Sequence, residues 1–383
     1  MLRMPSPRAL VVSFSDISRD SRVLRQVSAV AEHAAVTTLS YGPQPSSAVE
    51  HLELPAGAVS LPQTPAGVAN LALRRLTASE LAAPGAQKAL ELAAGRTFDV
   101  VVANDARSLA LAHRLAGGAP VWADMHEWAP EERTHVLSWR LLVSPLMDHL
   151  CRTYLPKVEA VTTVGPAIAR LYEQRYGVRT RVMRNAPRQT ALAPTPTEEG
   201  IVRLVHSGGA VPGRSLETMI DVAAELGPTF PLDLYLVPAN DGGKYLNSLK
   251  ARARDHAHVT LHPPVPPADL PTTLNAYDVG VFWIPPFNTN ARLTLPNKLF
   301  DYVQARLAVA IGPSLEMADV VHEYGLGPVS SGFDAASIVE SLKALDAETI
   351  EGYKRNSHTA AAELSFEHES RVAHSILREL LGR

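Results

Sequence analysis

Lys298 and Asp301 stand one helical turn apart in the run from Leu295 to Tyr302, directly after Pro296. Proline suits the first turn of a helix because its missing N–H needs no partner there. The free N–H groups of Asn297 and Lys298 then lie at a positive helix end. With the ammonium of Lys298 they form a place for a phosphate. Asp301 can accept from two vicinal ribose hydroxyls, as acidic residues do in dinucleotide folds. The same residues also read as a capped surface helix with an i,i+3 ion pair.

A second cluster runs from Leu204 to Leu216 and contains Gly208, Gly209, Gly213 and Arg214. Strand, Gly-rich turn and helix start are expected in that order, so backbone N–H groups can approach an anion closely. Arg214 can fork onto a diphosphate. An ordinary tight turn between strand and helix is the competing reading. The third cluster, Asp124, His126 and Glu127, follows a short apolar run from Val121 and is flanked by Trp122 and Trp128. His126 can donate to a sugar hydroxyl or to charge developing near a scissile bond, or it can be a satisfied structural histidine. No second histidine lies at helical spacing on the same element, so a zinc site is not supported and no metal is expected.

Two further loops carry polar groups. Asn104 and Asp105 follow the run 100–103 and offer side chains to an acceptor molecule, with capping of the next helix as the alternative for Asp105. Asp16 or Ser15 can touch an acceptor or a phosphate, whereas Asp20 or Ser21 reads as a helix cap.

All these residues need strand ends to hold them. Short β-rich runs are expected at 8–13, 35–40, 100–103, 121–123, 160–164 and 181–183, with a polar loop at 14–20 and helices at 21–32 and 166–176. Composition shifts at 187–200, rich in proline and threonine, which reads as a linker. The rhythm restarts with strands at 202–206, 232–237, 259–262, 279–283 and 308–311 and helices at 215–226, 244–256 and 296–306. The expected division is 1–188, a linker at 189–200, 201–364, and a C-terminal helix at 365–383. Alternating strands and helices predict α/β architecture, two Rossmann-like doubly wound domains facing a central cleft, with ligands at the carboxyl ends of the strands.

Bulk properties narrow the function classes. The 383 residues suffice for two cores. A net charge of −3 gives no basic field for nucleic acid. Scattered arginines argue for at most peripheral membrane contact. The single cysteine, Cys151, cannot form an internal disulfide and reads as a buried apolar residue on a helix. The first apolar run, 9–13, is too short for a signal-peptide core and no stretch is long enough to span a bilayer, so the cytoplasm is the expected compartment.

The order of these motifs resembles the family-4-like retaining glycosyltransferases of the glycosyltransferase-B fold. Asp20 to Val27 is similar to the opening helix of their acceptor domain, and Asp124-Met-His-Glu127 to their Asp-x-His-Glu strand end. Thr162 to Gly165 and Met183 to Pro187 are similar to the segments leading to their hinge. Leu295 to Tyr302 resembles their donor element Asn-Lys-Leu-Phe-Glu-Tyr. The resemblance implies transfer of a sugar, with retention, from a nucleotide-diphosphate-sugar donor to a small-molecule, glycan or lipid-linked acceptor, with no cofactor. It places His126 near the donor sugar, Arg214 and Lys298 on the diphosphate, and Asp301 on the ribose. It also implies that the last helix crosses back to the first domain. The chain departs from the family where Asp301 replaces the second of two glutamates and Leu293 the first. It departs again where Gly209 stands in place of a basic residue, a loss that Arg292 or Lys244 can offset.

Front-face displacement is the expected mechanism, because no carboxylate pair specifies a covalent double displacement. A sugar-nucleotide epimerase on the same fold and a non-catalytic nucleotide-sugar-binding protein are the alternatives. A dehydrogenase is disfavoured, since no Gly-x-Gly-x-x-Gly follows the first strand.

Overall fold

The computed structural model describes residues 6–382. Its two compact units are Met1–Arg184 with Asn288–Asn290 and Ser370–Arg383, and Asn185–Phe287 with Ala291–Glu369. Each is built on one parallel sheet.

The first sheet contains β1 (Arg8–Asp16), β2 (Ala35–Tyr41), β3 (Glu50–Glu53), β4 (Val100–Asn104), β5 (Val121–Met125), β6 (Ala160–Thr163) and β7 (Arg181–Val182), in the order β3-β2-β1-β4-β5-β6-β7. Ala9 to Val12 and Val100 to Ala103 are fully buried. Unbroken apolar runs of this kind mark parallel strands covered on both faces. The strand order reverses between β1 and β4, so the ends of those strands flank a crevice.

The second sheet contains β8 (Leu204–Ala210), β9 (Leu232–Pro238), β10 (Val259–His262), β11 (Val279–Phe282) and β12 (Ala308–Ile311), in the order β10-β9-β8-β11-β12. Its side chains alternate between two cores. Leu204, Val279, Val281, Ala308 and Ala310 join one, while Val205, Phe282, Val309 and Ile311 join the other. That is the period of two expected of a sheet with helices on both faces. The fold is two doubly wound α/β units.

Several boundaries differ from the sequence expectation. The loop expected at 14–20 is strand as far as Asp16 and then a turn of 3₁₀-helix, Ile17–Arg19. Asp20 does cap the next helix, Ser21–Ala31, accepting from the Val23 N–H at 3.1 Å. The first part of the Gly-rich turn expected between the strand ending at 206 and the helix starting at 215 is strand as well, as far as Ala210. Ladder pairing with β9 continues from Leu204 to Ala210, because glycine N–H and C=O groups remain available to it. Trp122, Trp128 and Trp139 are core residues, buried to at least nine-tenths.

The Pro- and Thr-rich stretch after Pro187 is strapped to the second unit. Arg306 donates to the carbonyls of Thr190 at 2.7 Å and Leu192 at 3.1 Å, and to those of Val303 and Gln304 at the end of helix Asn297–Gln304. A buried cation at a helix C-terminus also meets the negative end of the helix dipole. Thr195 donates to the Asn275 carbonyl at 2.9 Å.

Candidate functional site

In the first unit, register brings the polar strand ends together. Asn104 of β4 stands opposite Asp124 of β5, and Asp124 opposite Thr162 of β6. The Asp124 carboxylate is fully buried and has five contacts from four side chains. Arg22, from helix Ser21–Ala31, forks onto it with Nε at 2.9 Å and Nη2 at 2.6 Å. Thr162 Oγ1 donates at 2.6 Å, Gln26 Nε2 donates at 3.0 Å, and His126 Nε2 lies at 3.4 Å. Burial works against this charge, yet Arg22 and His126 hold the carboxyl well below its usual range.

The direction of the hydrogen bonds fixes the role of His126 Nε2. The Gln26 amide donates to Asp124, and its Oε1 accepts from Asn104 Nδ2 at 2.9 Å. Asn104 Nδ2 also donates to the Val12 carbonyl at 3.2 Å, which leaves only Asn104 Oδ1 to face His126 Nε2 at 3.0 Å. Nε2 is therefore a donor. On the other side of the ring, Nδ1 lies 3.4 Å from Asp105 Oδ2. A donating Nε2 with a carboxylate facing Nδ1 favours the imidazolium. Burial alone would lower its affinity for a proton, but Asp105 and Asp124 outweigh burial and push the pKa up to about 9. The stabilisation from this charge is thus complete below the ordinary value of 6.5 and disappears as pH rises through about 9. The melting temperature should fall between pH 7 and 10, and should fall less in His126→Asn. An imidazole titrating near 6.5 by NMR would refute the arrangement.

Asp105 does not cap the following helix with its side chain. Its carboxylate accepts the His126 backbone N–H at 3.0 Å, and its own N–H donates to the Asp124 carbonyl at 2.9 Å. The backbone there has φ +63° and ψ 165°, a region essentially reserved for glycine. Asp105, His126 and Glu127 line a cavity of about 150 Å³ with Arg107 and Glu132. Desolvation, then the like charges of Glu132 and Asp105, push the Glu127 carboxyl up to about 7. Glu127 is exposed, so solvent moderates the first cause, and the neighbouring carboxylates are the sturdier one. Asp16 stands apart from this cluster, lining a second cavity of about 650 Å³.

In the second unit, Lys298 lies across the backbone of Gly208. A Cβ at that glycine would sit 2.8 Å from Lys298 Nζ, and one at Gly209 would sit 3.6 Å from Arg214 Nη1. The glycines thus let two cations lie close over the end of β8. Burial and the charge of Arg214 lower the pKa of Lys298, while Asp301 opposes them. Burial, then Lys298 and Arg214, push His206 down to about 3. His206 is therefore neutral. Its Nδ1 donates to the Val281 carbonyl at 2.9 Å, and its Nε2 is left as an acceptor close to Gly208. Arg214 precedes Ser215, whose φ of +53° is the left-handed turn into helix Leu216–Leu226. Asn297 and Asp301 share the helix Asn297–Gln304 with Lys298, and Pro296 stands just before it at the cap. Tyr302 occupies the space beside Gly280 where a Cβ would lie, which fixes that helix against β11.

Residues 29–186 match the family described as Glycosyltransferase Family 4. The chain carries a glycosyltransferase domain. Solved structures share the fold over nearly the whole chain. Anabaena HepE in complex with UDP has a TM-score of 0.71 at 12% identity, covering 97% of this chain and 100% of that one. Sucrose-phosphate synthase from Thermosynechococcus elongatus gives 0.72 at 14%, covering 98% and 99%. An α,α-trehalose-phosphate synthase (UDP-forming) from Burkholderia vietnamiensis gives 0.69 at 11%, covering 98% of each. No curated protein sequence matches the chain.

In this chain the sequence motifs gather as two polar clusters, one in each unit. Leu293 is buried. Arg292 and Lys244 are exposed. Sequence reasoning assigned no role to Arg22, Gln26, Arg107 or His206. A signal for the first two exists, since Arg22 and Gln26 are polar residues four apart on the helix face that buries Val23, Val27 and Val30. Among the described residues no group of three or more His, Cys, Asp or Glu side chains is placed to hold a metal, and no helix is long and apolar enough to cross a membrane.

Proposed function

We propose that the chain transfers a sugar, with retention, from a nucleotide-diphosphate-sugar donor to an acceptor hydroxyl. The observation that carries this reading is the pair Arg214 and Lys298 over Gly208 and Gly209, beside the first turn of helix Asn297–Gln304. Two adjacent cations suit a diphosphate, whose charge grows as the glycosidic bond breaks. Asp301, one turn along the same helix from Asn297, takes the ribose hydroxyls. Leu293 provides no second carboxylate, so that grip rests on Asp301 alone.

In a front-face displacement the acceptor oxygen bonds to the anomeric carbon as the diphosphate leaves, and the hydroxyl proton passes to a departing phosphate oxygen. His126, a fixed cation, contributes hydrogen bonding and field rather than proton removal, and Asp124 positions it. Glu127, with its pKa near neutrality, is the carboxyl best suited to exchange a proton on the first unit. Asp16 and Asp105 are assigned to the acceptor side.

HepE has been solved with UDP, with UDP and glucose, and with UDP-glucose, so UDP is the first ligand and UDP-glucose the first donor to try. UDP well above its dissociation constant should raise the melting temperature, by a stabilisation of about 2–4 kcal/mol. NMR of the product's anomeric proton would then read the stereochemistry. An inverted product overturns retention, and the absence of a shift with any nucleoside diphosphate or its sugar overturns the donor assignment.

A further inference from the structure

The 650 Å³ cavity of the first unit lies over the ends of three neighbouring strands. Asp16, Tyr41 and Glu53 are the last residues of β1, β2 and β3, and all three line it. Two of these groups are already engaged. Asp16 accepts from the backbone N–H of Ser18 and from its hydroxyl at 2.7 Å, and lies 3.6 Å from Arg19. The Tyr41 hydroxyl donates to the Ala58 carbonyl at 2.5 Å. Three others have no hydrogen bond or ion pair among the described residues. They are the carboxylate of Glu53, the amide of Gln63 and the guanidinium of Arg133, and each lines the same space.

Arg107 adds a second guanidinium and links this space to the catalytic side. It lines both the large cavity and the small one that holds His126 and Glu127. Its hold on the protein is loose, with Ser60 Oγ at 3.4 Å and Glu132 Oε1 at 3.6 Å. We infer that this cavity is the acceptor site and that its ligand is a small polyhydroxylated molecule bearing an anionic group. Arg133 and Arg107 hold the anion, while Glu53 and Gln63 take hydroxyls. The volume falls within the range of small-molecule sites. Guanidinium groups suit phosphate and carboxylate because their planar forks match both. A ligand held in this way reaches past Arg107 toward His126 and Glu127 with the hydroxyl that reacts.

The inference rests on the proposed transferase reading, and one experiment separates the two. Calorimetry on the full chain with saturating UDP would compare glucose, glucuronate, glucose 6-phosphate and inorganic phosphate at constant ionic strength. The anionic hexoses should bind at least about tenfold more tightly than glucose, one charge-assisted contact being worth about that factor. Arg133→Ala should remove the preference and Arg133→Lys should keep part of it. Glu53→Gln should weaken the hexoses but not inorganic phosphate. Equal binding of glucose and its anionic forms, a preference that survives Arg133→Ala, or no binding of any probe would each overturn the inference. UDP binding in the same samples decides the donor reading independently.

Discussion

Replacing Arg22 with methionine is expected to destabilise the first unit by about 3–5 kcal/mol, because it strands a carboxylate in the interior. Asp124 would keep Thr162, Gln26 and His126 but lose its bidentate partner. A protein can absorb such a loss only by protonating the acid or admitting water, and both carry a cost. Trp122 donates to Thr162 Oγ1 at 2.8 Å, one step from Asp124, so indole fluorescence in a urea titration reports on this spot. Replacing both partners, Arg22→Met with Asp124→Leu, should recover much of the stability, since an apolar pair of similar volume carries no desolvation cost. The double variant would still be inactive if Asp124 positions His126. An unchanged urea midpoint for Arg22→Met alone would mean that Asp124 is not a buried charge.

Lys298→Ala should behave in the opposite sense, with binding lost and the fold undisturbed. One charge-assisted contact to a phosphate is worth about 1.5–3 kcal/mol, so the dissociation constant for UDP should rise by about ten- to a hundredfold. Stability without ligand should hold or rise slightly, because Arg214 disfavours the charge on Lys298. His206 should become easier to protonate, having lost one of the cations that push it down to about 3. Gly208→Ala tests the same feature from the backbone side, since its methyl would arrive 2.8 Å from the ammonium nitrogen and displace it. Calorimetry with UDP on both variants is the measurement. Wild-type affinity in both would remove the diphosphate from this place.

The architecture was legible because parallel strands buried on both faces leave unbroken apolar runs such as Val100 to Ala103, and helices leave a different period. The strand ends were legible for a related reason, since polar residues directly after such a run sit where ligands of doubly wound sheets bind. Other features leave no such mark. Strand β3, with glutamates at both ends and histidine within, is an edge strand recognisable only by its pairing with β2. Gly208 and Gly209 suggest a turn by composition, but β9 keeps them in the ladder. The hydrogen-bond chain from Gln26 through Asn104 to His126 joins residues 22 to 78 positions apart in sequence. Only the fold reveals that it makes His126 a cation.

Asp105 bears on how this protein can change. Its backbone is held in a conformation that costs a residue with a side chain about 1–3 kcal/mol and costs glycine little. Glycine at position 105 would relieve that strain but would also discard the carboxylate that accepts the His126 N–H and faces its ring. The two effects on stability oppose one another at this one codon, because the backbone relief is offset by losing the contact that keeps His126 charged.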